Sequence, residues 1–135
     1  MKKISTLLFY LSLTSMILLS TGCEKMSNEE LLLDHIWNYD EMTTNSTNET
    51  VLAIVALSNA LFTGATFEFK SDGSYRITTT SNTDTGTWEF LDDDTFLMDT
   101  DQMQIISLTE DEFVVESEEV DTEYGNYYIR IRLVR

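Results

Sequence analysis

The chain has 135 residues, enough for one domain, with 24 acidic side chains against eight basic ones and a net charge of −16. That balance argues against a nucleic-acid surface, whose phosphates would repel it, and against close electrostatic docking on anionic lipid. A single cysteine excludes an intramolecular disulfide, and the chain contains no proline to break a strand.

The first residues differ in composition from everything after them. Lys2 and Lys3 make a basic start, Leu7 to Leu19 is mostly apolar, and the small residues Ser20-Thr21-Gly22 lead into Cys23. This is the layout of a secretory signal peptide, and its apolar stretch is short of the about 20 residues that a spanning helix needs. Leu19-Ser20-Thr21-Gly22-Cys23 resembles the lipobox of bacterial lipoproteins, in which a cysteine takes diacylglycerol on its sulfur. The usual pattern has leucine three places before the cysteine; here Ser20 holds that place and Leu19 stands one earlier. The resemblance implies that residues 1–22 are removed and that Cys23 carries acyl chains such as palmitate. It also implies a protein anchored at the cell envelope, in the outer membrane of a Gram-negative cell, facing the periplasm or the outside. Each buried methylene of such chains contributes about 0.8 kcal/mol to membrane binding. Cleavage would leave 113 residues with six basic and 24 acidic side chains, a net charge of −18.

Residues 23–34 read as a lipidated tether, polar over Glu24 to Asn28, followed by a helical turn over Glu29 to Asp34. The domain proper is expected over 35–135. His35 to Thr44 reads as the first strand, with Ile36 and Trp37 as its bulky members. Asn45 to Thr50 is a polar loop. The spacing then predicts a helix over Val51 to Phe62, with Asn48 as N-cap and Gly64 as stop. Its apolar residues wrap widely round the axis, so a largely buried helix is expected.

Strands and turns alternate after Gly64. Thr66 to Lys70 alternates aromatic and polar residues, which gives one buried and one wet face. Ser71-Asp72-Gly73-Ser74 is a hairpin turn, and Tyr75 to Thr80 the next strand. A loop over Ser81 to Gly86 precedes the strand Thr87 to Phe90, and Asp92-Asp93-Asp94 turns the chain again. Thr95 to Asp99, Gln102 to Leu108, Glu112 to Glu118 and Asn126 to Val134 complete eight strands. Short sequential antiparallel strands leave two exposed edges unless the sheet closes, so the expectation is mainly all-β, an eight-stranded up-and-down barrel with one short helix between strands 1 and 2. A two-sheet sandwich is the alternative.

Four segments carry a further resemblance: His35-Ile36-Trp37, Phe69 to Tyr75 (FKSDGSY), Gly86 to Phe90 (GTWEF) and Ile106 to Val115 (ISLTEDEFVV). In their order and spacing, 35–135 resembles the lipocalin-like domain family of small bacterial lipoproteins. The resemblance implies a calycin-type barrel. Lipocalins open on Gly-x-Trp, with the indole beneath an arginine from a late strand. Here Trp37 matches the tryptophan, His35 replaces the glycine, and Arg130 and Arg132 are the candidate arginines for that barrel-end packing.

Catalytic machinery is not legible. The only histidine is His35, beside a presumed core tryptophan, and no nucleophile stands beside an oriented base. Asp92, Asp93, Asp94, Asp99 and Asp101 fall around one hairpin and offer oxygen ligands, yet they lack the spacing and turn glycine of a calcium loop. Glu116, Glu118, Glu119, Asp121 and Glu123 read as a solvated run. No cofactor, zinc or phosphate-loop motif is present. Binding is therefore the expected activity, with Tyr75, Ile77, Trp88, Phe90 and Phe96 as the candidate pocket lining for a small hydrophobic ligand. An eight-stranded barrel is just wide enough to be filled by side chains or to hold one such ligand. The alternative is a solid barrel whose acidic surface meets a basic protein partner.

Overall fold

The computed structural model describes residues 26–121 and 123–135; the export signal and Cys23 lie outside the described residues. Its elements in chain order are α1 (Asn28–Leu32), β1 (Ile36–Thr44), α2 (Glu49–Phe62), β2 (Thr66–Phe69) and β3 (Ser74–Thr78). Then come β4 (Thr83–Phe90), β5 (Thr95–Met98), β6 (Asp101–Leu108), β7 (Glu112–Asp121) and β8 (Gly125–Val134). The strands pair in sequence order, all antiparallel, and β8 returns to β1, so the sheet closes into an eight-stranded up-and-down barrel. The expected barrel stands and the sandwich does not. Closure leaves no free sheet edge along the paired segments.

Turn chemistry sets where each strand starts. Asp72 accepts from the Ser74 amide at 2.9 Å, and Gly73 supplies the positive φ of +81° that the hairpin needs. Between β3 and β4 the turn is tighter than the expected loop. The Thr79 amide donates to the Asn82 carbonyl at 2.8 Å, and β4 begins at Thr83. Thr83 and Thr85 are β-branched and pair opposite Thr78 and Arg76, which is why this segment joins the ladder.

Because the barrel is up-and-down, successive turns alternate between its ends. The lower end carries α1, the β2–β3, β4–β5 and β6–β7 turns and the C-terminus. The upper end carries the start of α2 and the other turns. α1 is set by a capping box: the Ser27 hydroxyl accepts from the Glu30 amide at 3.3 Å, and the Glu30 carboxylate accepts from the Ser27 amide at 2.8 Å. The polar stretch read as a tether therefore ends one residue inside the helix, and Leu31 and Leu32 are buried.

Helix α2 forms where expected, capped by Asn48, whose side-chain oxygen accepts from the Thr50 and Val51 amides at 2.9 and 3.4 Å. Its burial departs from expectation. One stripe (Val51, Val55, Ser58, Asn59, Phe62) faces the barrel, whereas Leu52, Ile54, Leu57 and Leu61 are exposed at 45–64%. The reason is where it docks. β2 is four residues long and reaches β1 only as far as Asn38, so the upper part of β1 has no strand on that side. Asn59 takes that place. Its Oδ1 accepts from the Met42 amide at 2.8 Å and its Nδ2 donates to the Met42 carbonyl at 2.9 Å, as a neighbouring strand would. The same Oδ1 accepts from the Tyr39 hydroxyl at 2.7 Å. A helix lying against the wall, and not inside it, buries one face only.

Candidate functional site

Cross-strand partners share a face of a sheet, so the register tells which side chains point inward. Below mid-height the interior is solid. Trp37, Phe69, Phe96, Phe113 and Leu133 are each at most 2% exposed. Phe96 and Phe113 meet edge-to-face with centroids 5.3 Å apart, and Phe69 lies 5.7 Å from Phe96 and 5.9 Å from Trp88. Trp88 is anchored by its indole N–H, which donates to the Lys70 and Ser74 carbonyls at 3.1 and 3.0 Å.

The lower end is sealed by α1. The Trp37 indole N–H donates to the Leu32 carbonyl at 3.1 Å. The guanidinium over that indole belongs to Arg135, 4.8 Å from the ring centroid, and it also donates to the Leu31 carbonyl at 2.6 Å. This corrects the assignment of barrel-end packing to Arg130 and Arg132. Those two alternate with the inward Ile131 and Leu133 and so face outward. Arg130 binds Glu116 at 2.6 Å, while Arg132 bridges Asp40 at 2.7 Å and Glu112 at 3.3 Å. Residue 135 has the parity of Leu133 and reaches the floor.

Above mid-height the interior changes character. Met42 pairs with Ile131, Val115 and Ile105 in one ring of partners, Met98 pairs with Trp88, Met103 with Phe96, and Ile77 with Phe67. These side chains share the inner face of the floor residues, yet Met42, Ile77, Met98, Met103, Ile129 and Ile131 are only half-buried. Together they form an upper apolar lining, the cup, packed against the aromatic floor and only partly shielded from water. Among the described residues, three of the four methionines stand in it. Methionine is flexible and polarisable, suited to surfaces that adapt to what they contact.

Where β5 ends, one polar cluster ties the β5–β6 turn to β3 and β4. The Tyr75 hydroxyl donates to Asp99 Oδ2 at 2.5 Å, and Asp99 Oδ1 accepts from the Thr87 amide at 2.9 Å. Asp99 has φ +54°, a left-handed conformation that aspartate tolerates better than most residues. Burial, the Asp99 bond and the neighbouring Asp99, Asp84 and Asp101 charges push the Tyr75 phenol up to about 12. The Tyr75 bond, then the Thr87 amide, hold the Asp99 carboxyl below its ordinary value. Gly86 lies opposite Tyr75; a Cβ there would fall 2.6 Å from the ring and collide with the Asp99 carboxylate.

Of the five candidate pocket residues, Trp88 and Phe96 are built into the floor. Phe90 meets both edge-on at 5.6 Å and lines a groove beside α1. Tyr75 and Ile77 stand at the cup. The sequence reading missed Met42, Met98, Met103, Ile129 and Ile131, although strand alternation, once register is known, marks them all. The five aspartates do not converge. Asp92, Asp93 and Asp94 sit on the lower β4–β5 turn, with Asp92 held below its ordinary value by the Asp94 amide, whereas Asp99 and Asp101 flank the upper β5–β6 turn. Among the described residues no group of three or more His, Cys, Asp or Glu side chains is placed to hold a metal. His35 is half-buried just before β1 and lines an outer groove with Asp34, Ile36 and Glu68.

No family model and no curated protein sequence matches the chain. Solved structures similar to it include a DUF4847 family protein from Bacteroides vulgatus, 12% identical over 76% of this chain and 95% of that one, with a TM-score of 0.47. Bovine odorant binding protein complexed with its natural ligand is 18% identical over 83% and 76%, with a TM-score of 0.49. A deswapped triple mutant of bovine odorant binding protein is 15% identical over 75% and 72%, with a TM-score of 0.44. At this distance no residue role carries over to this chain.

Proposed function

We propose that this protein is a lipid-anchored, non-enzymatic binding protein of the bacterial cell envelope that holds a small hydrophobic ligand in the upper half of its barrel. One observation carries the reading. The inner wall above the aromatic floor is apolar and only partly buried, so a hydrophobic guest would remove its remaining exposed surface from water at about 25 cal/mol per Å². The anchor rests on the sequence before residue 26: the basic start, the apolar stretch and Cys23 behind three small residues. The net charge of −18 on the cleaved chain supports a second reading, an acidic surface that meets a basic protein partner.

Native mass spectrometry of the chain purified gently from a lipid-containing bacterial host decides between them. A co-purified small molecule released on unfolding is the expected result, together with an N-terminal peptide that carries diacylglycerol on Cys23. A bare protein mass with salt-sensitive capture of a basic protein would transfer the function to the outer surface. A chain that retains Met1 would remove the anchor.

A further inference from the structure

Helix α2 carries an apolar face that the barrel does not cover. Ile54, Leu57 and Leu61 are 53, 60 and 64% exposed. Their i, i+3 and i+7 spacing sets them on one stripe, beside the small side chains of Ala53 and Ala60 on the crest of the helix. Such spacing is that of a seam between two helices. From Thr50 to Phe67 no side chain is charged, in a chain whose net charge is −16. A basic partner would be drawn to carboxylates, and this stripe has none. The protein's own bilayer does not reach it either. The described chain begins beside β6, where Met26 and Ser27 line a groove with Ile105 to Leu108 and Asn28 donates to the Asp93 carbonyl at 2.9 Å. β6 stands three strands from β1, across the barrel from α2. Cys23 is three residues before Met26, a reach of at most ~11 Å, which is about the thickness of one helix. An anchor at Cys23 therefore holds the far side of the barrel near lipid and leaves α2 turned away.

We propose that a second copy of this chain covers α2, packing its own Ile54, Leu57 and Leu61 against these. The uncharged stripe is where two such acidic chains can meet. In a stripe-to-stripe contact two helices separate the barrel walls by roughly 20 Å, well beyond the about 8 Å over which exposed charges act at physiological salt. The orientation rests on the lipid-anchor reading. Two chains anchored in one leaflet turn the same end to the membrane, so the twofold axis lies along the membrane normal and the two helices run in the same sense. Each stripe residue then meets its own counterpart. One stripe of a 14-residue helix, about 21 Å long, falls short of the about 1,200–2,000 Å² that a stable interface in solution buries. The pair therefore forms in the membrane, where the anchors concentrate the copies.

The test uses the full lipidated chain in the membranes of a bacterial host, with one cysteine added and a short bis-maleimide as cross-linker. Lipid blocks the Cys23 sulfur, so the unsubstituted chain should stay monomeric. Leu57→Cys and, one turn on, Leu61→Cys should give a dimer band, while Leu91→Cys, 49% exposed at the β4–β5 turn, should give little. Adding Ile54→Glu to Leu57→Cys sets two carboxylates face to face in the seam and should abolish the dimer; Ile54 is exposed, so the barrel stays folded. No dimer band at either seam position overturns the proposal, and so does a cross-link to a chain of another mass. Equal bands at Leu57→Cys and Leu91→Cys overturn it by assigning the contact to crowding, as does a band that survives Ile54→Glu. These outcomes leave the anchor reading in place. A cross-link in the unsubstituted chain means a free Cys23 sulfur, and it removes that reading together with the parallel pairing that rests on it.

Discussion

The two halves of the barrel use the same strands and the same alternation, and they end in different materials. The lower half is filled by rigid aromatics meeting edge-to-face, with every ring N–H satisfied and the end closed by α1 and Arg135. The upper half is lined by methionine and isoleucine that stay only partly buried, and it ends in carboxylates. Along β4 the inward residues run from Asp84 through Gly86 to Trp88 and Phe90, from rim to floor. Stability is therefore concentrated below and adaptability above, within a single closed sheet. A guest that enters the upper half meets a wall that is already closed and a floor that does not need to move, which limits the ordering it must supply.

Truncating one floor ring is the largest expected break in this contrast. Phe113→Ala removes the ring that Trp37, Phe69 and Phe96 all touch and should cost about 3–5 kcal/mol, measured by denaturant unfolding. Met98→Ala in the cup should cost clearly less, because its site already meets water. Equal losses at the two positions would erase the distinction between floor and cup. Next comes Gly86→Ala, at the boundary between them. Its Cβ has no room beside the Tyr75 ring and the Asp99 carboxylate, so a loss of about 1–3 kcal/mol is expected by the same unfolding assay. An unchanged midpoint would mean that Tyr75 can move aside.

The smallest effect is a titration. Tyr75 ionises at about 12 in the folded chain against an ordinary value of 10.0. Folding favours its protonated form, so this contribution to stability is full below about pH 10 and is lost as pH rises from there through 12. Tyrosinate absorbance should show late-titrating phenols, Tyr39 being raised as well by burial, and Tyr75→Phe should remove the component near pH 12 and reduce the alkaline loss of stability. A Tyr75 titration centred near the ordinary value of 10.0 would contradict the Tyr75–Asp99 bond.

Much of the fold could be read without coordinates, and the places where reading failed share a cause. The eight strands, the Asn48 cap of α2 and the hairpin at Asp72-Gly73 depend on local chemistry: alternation, a side-chain acceptor and a positive φ. Strand ends were missed where neighbours decide, as at Thr83, whose pairing with Thr78 extends β4 into what looked like a loop. The arginine over Trp37 was displaced by a question of parity. Arg130 and Arg132 alternate with the inward-facing residues, and only Arg135 shares their side. The five aspartates looked like one group because they are close in sequence, but β5 places them at opposite ends.

The division between what the chain sets locally and what the fold decides is clearest at the aromatics and at α2. Alternating apolar residues, turn residues at each hairpin and the absence of proline determine a closed sheet, since those features act over a few residues at a time. Which inward residues form a floor and which remain open to a guest depends on the stagger of the strands around the barrel, and on a β2 too short to cover β1. Phe96 and Met98 stand two residues apart on one strand with the same inward parity. The first is buried among four rings and the second only partly buried, because only closure of the sheet sets the height at which each one stands.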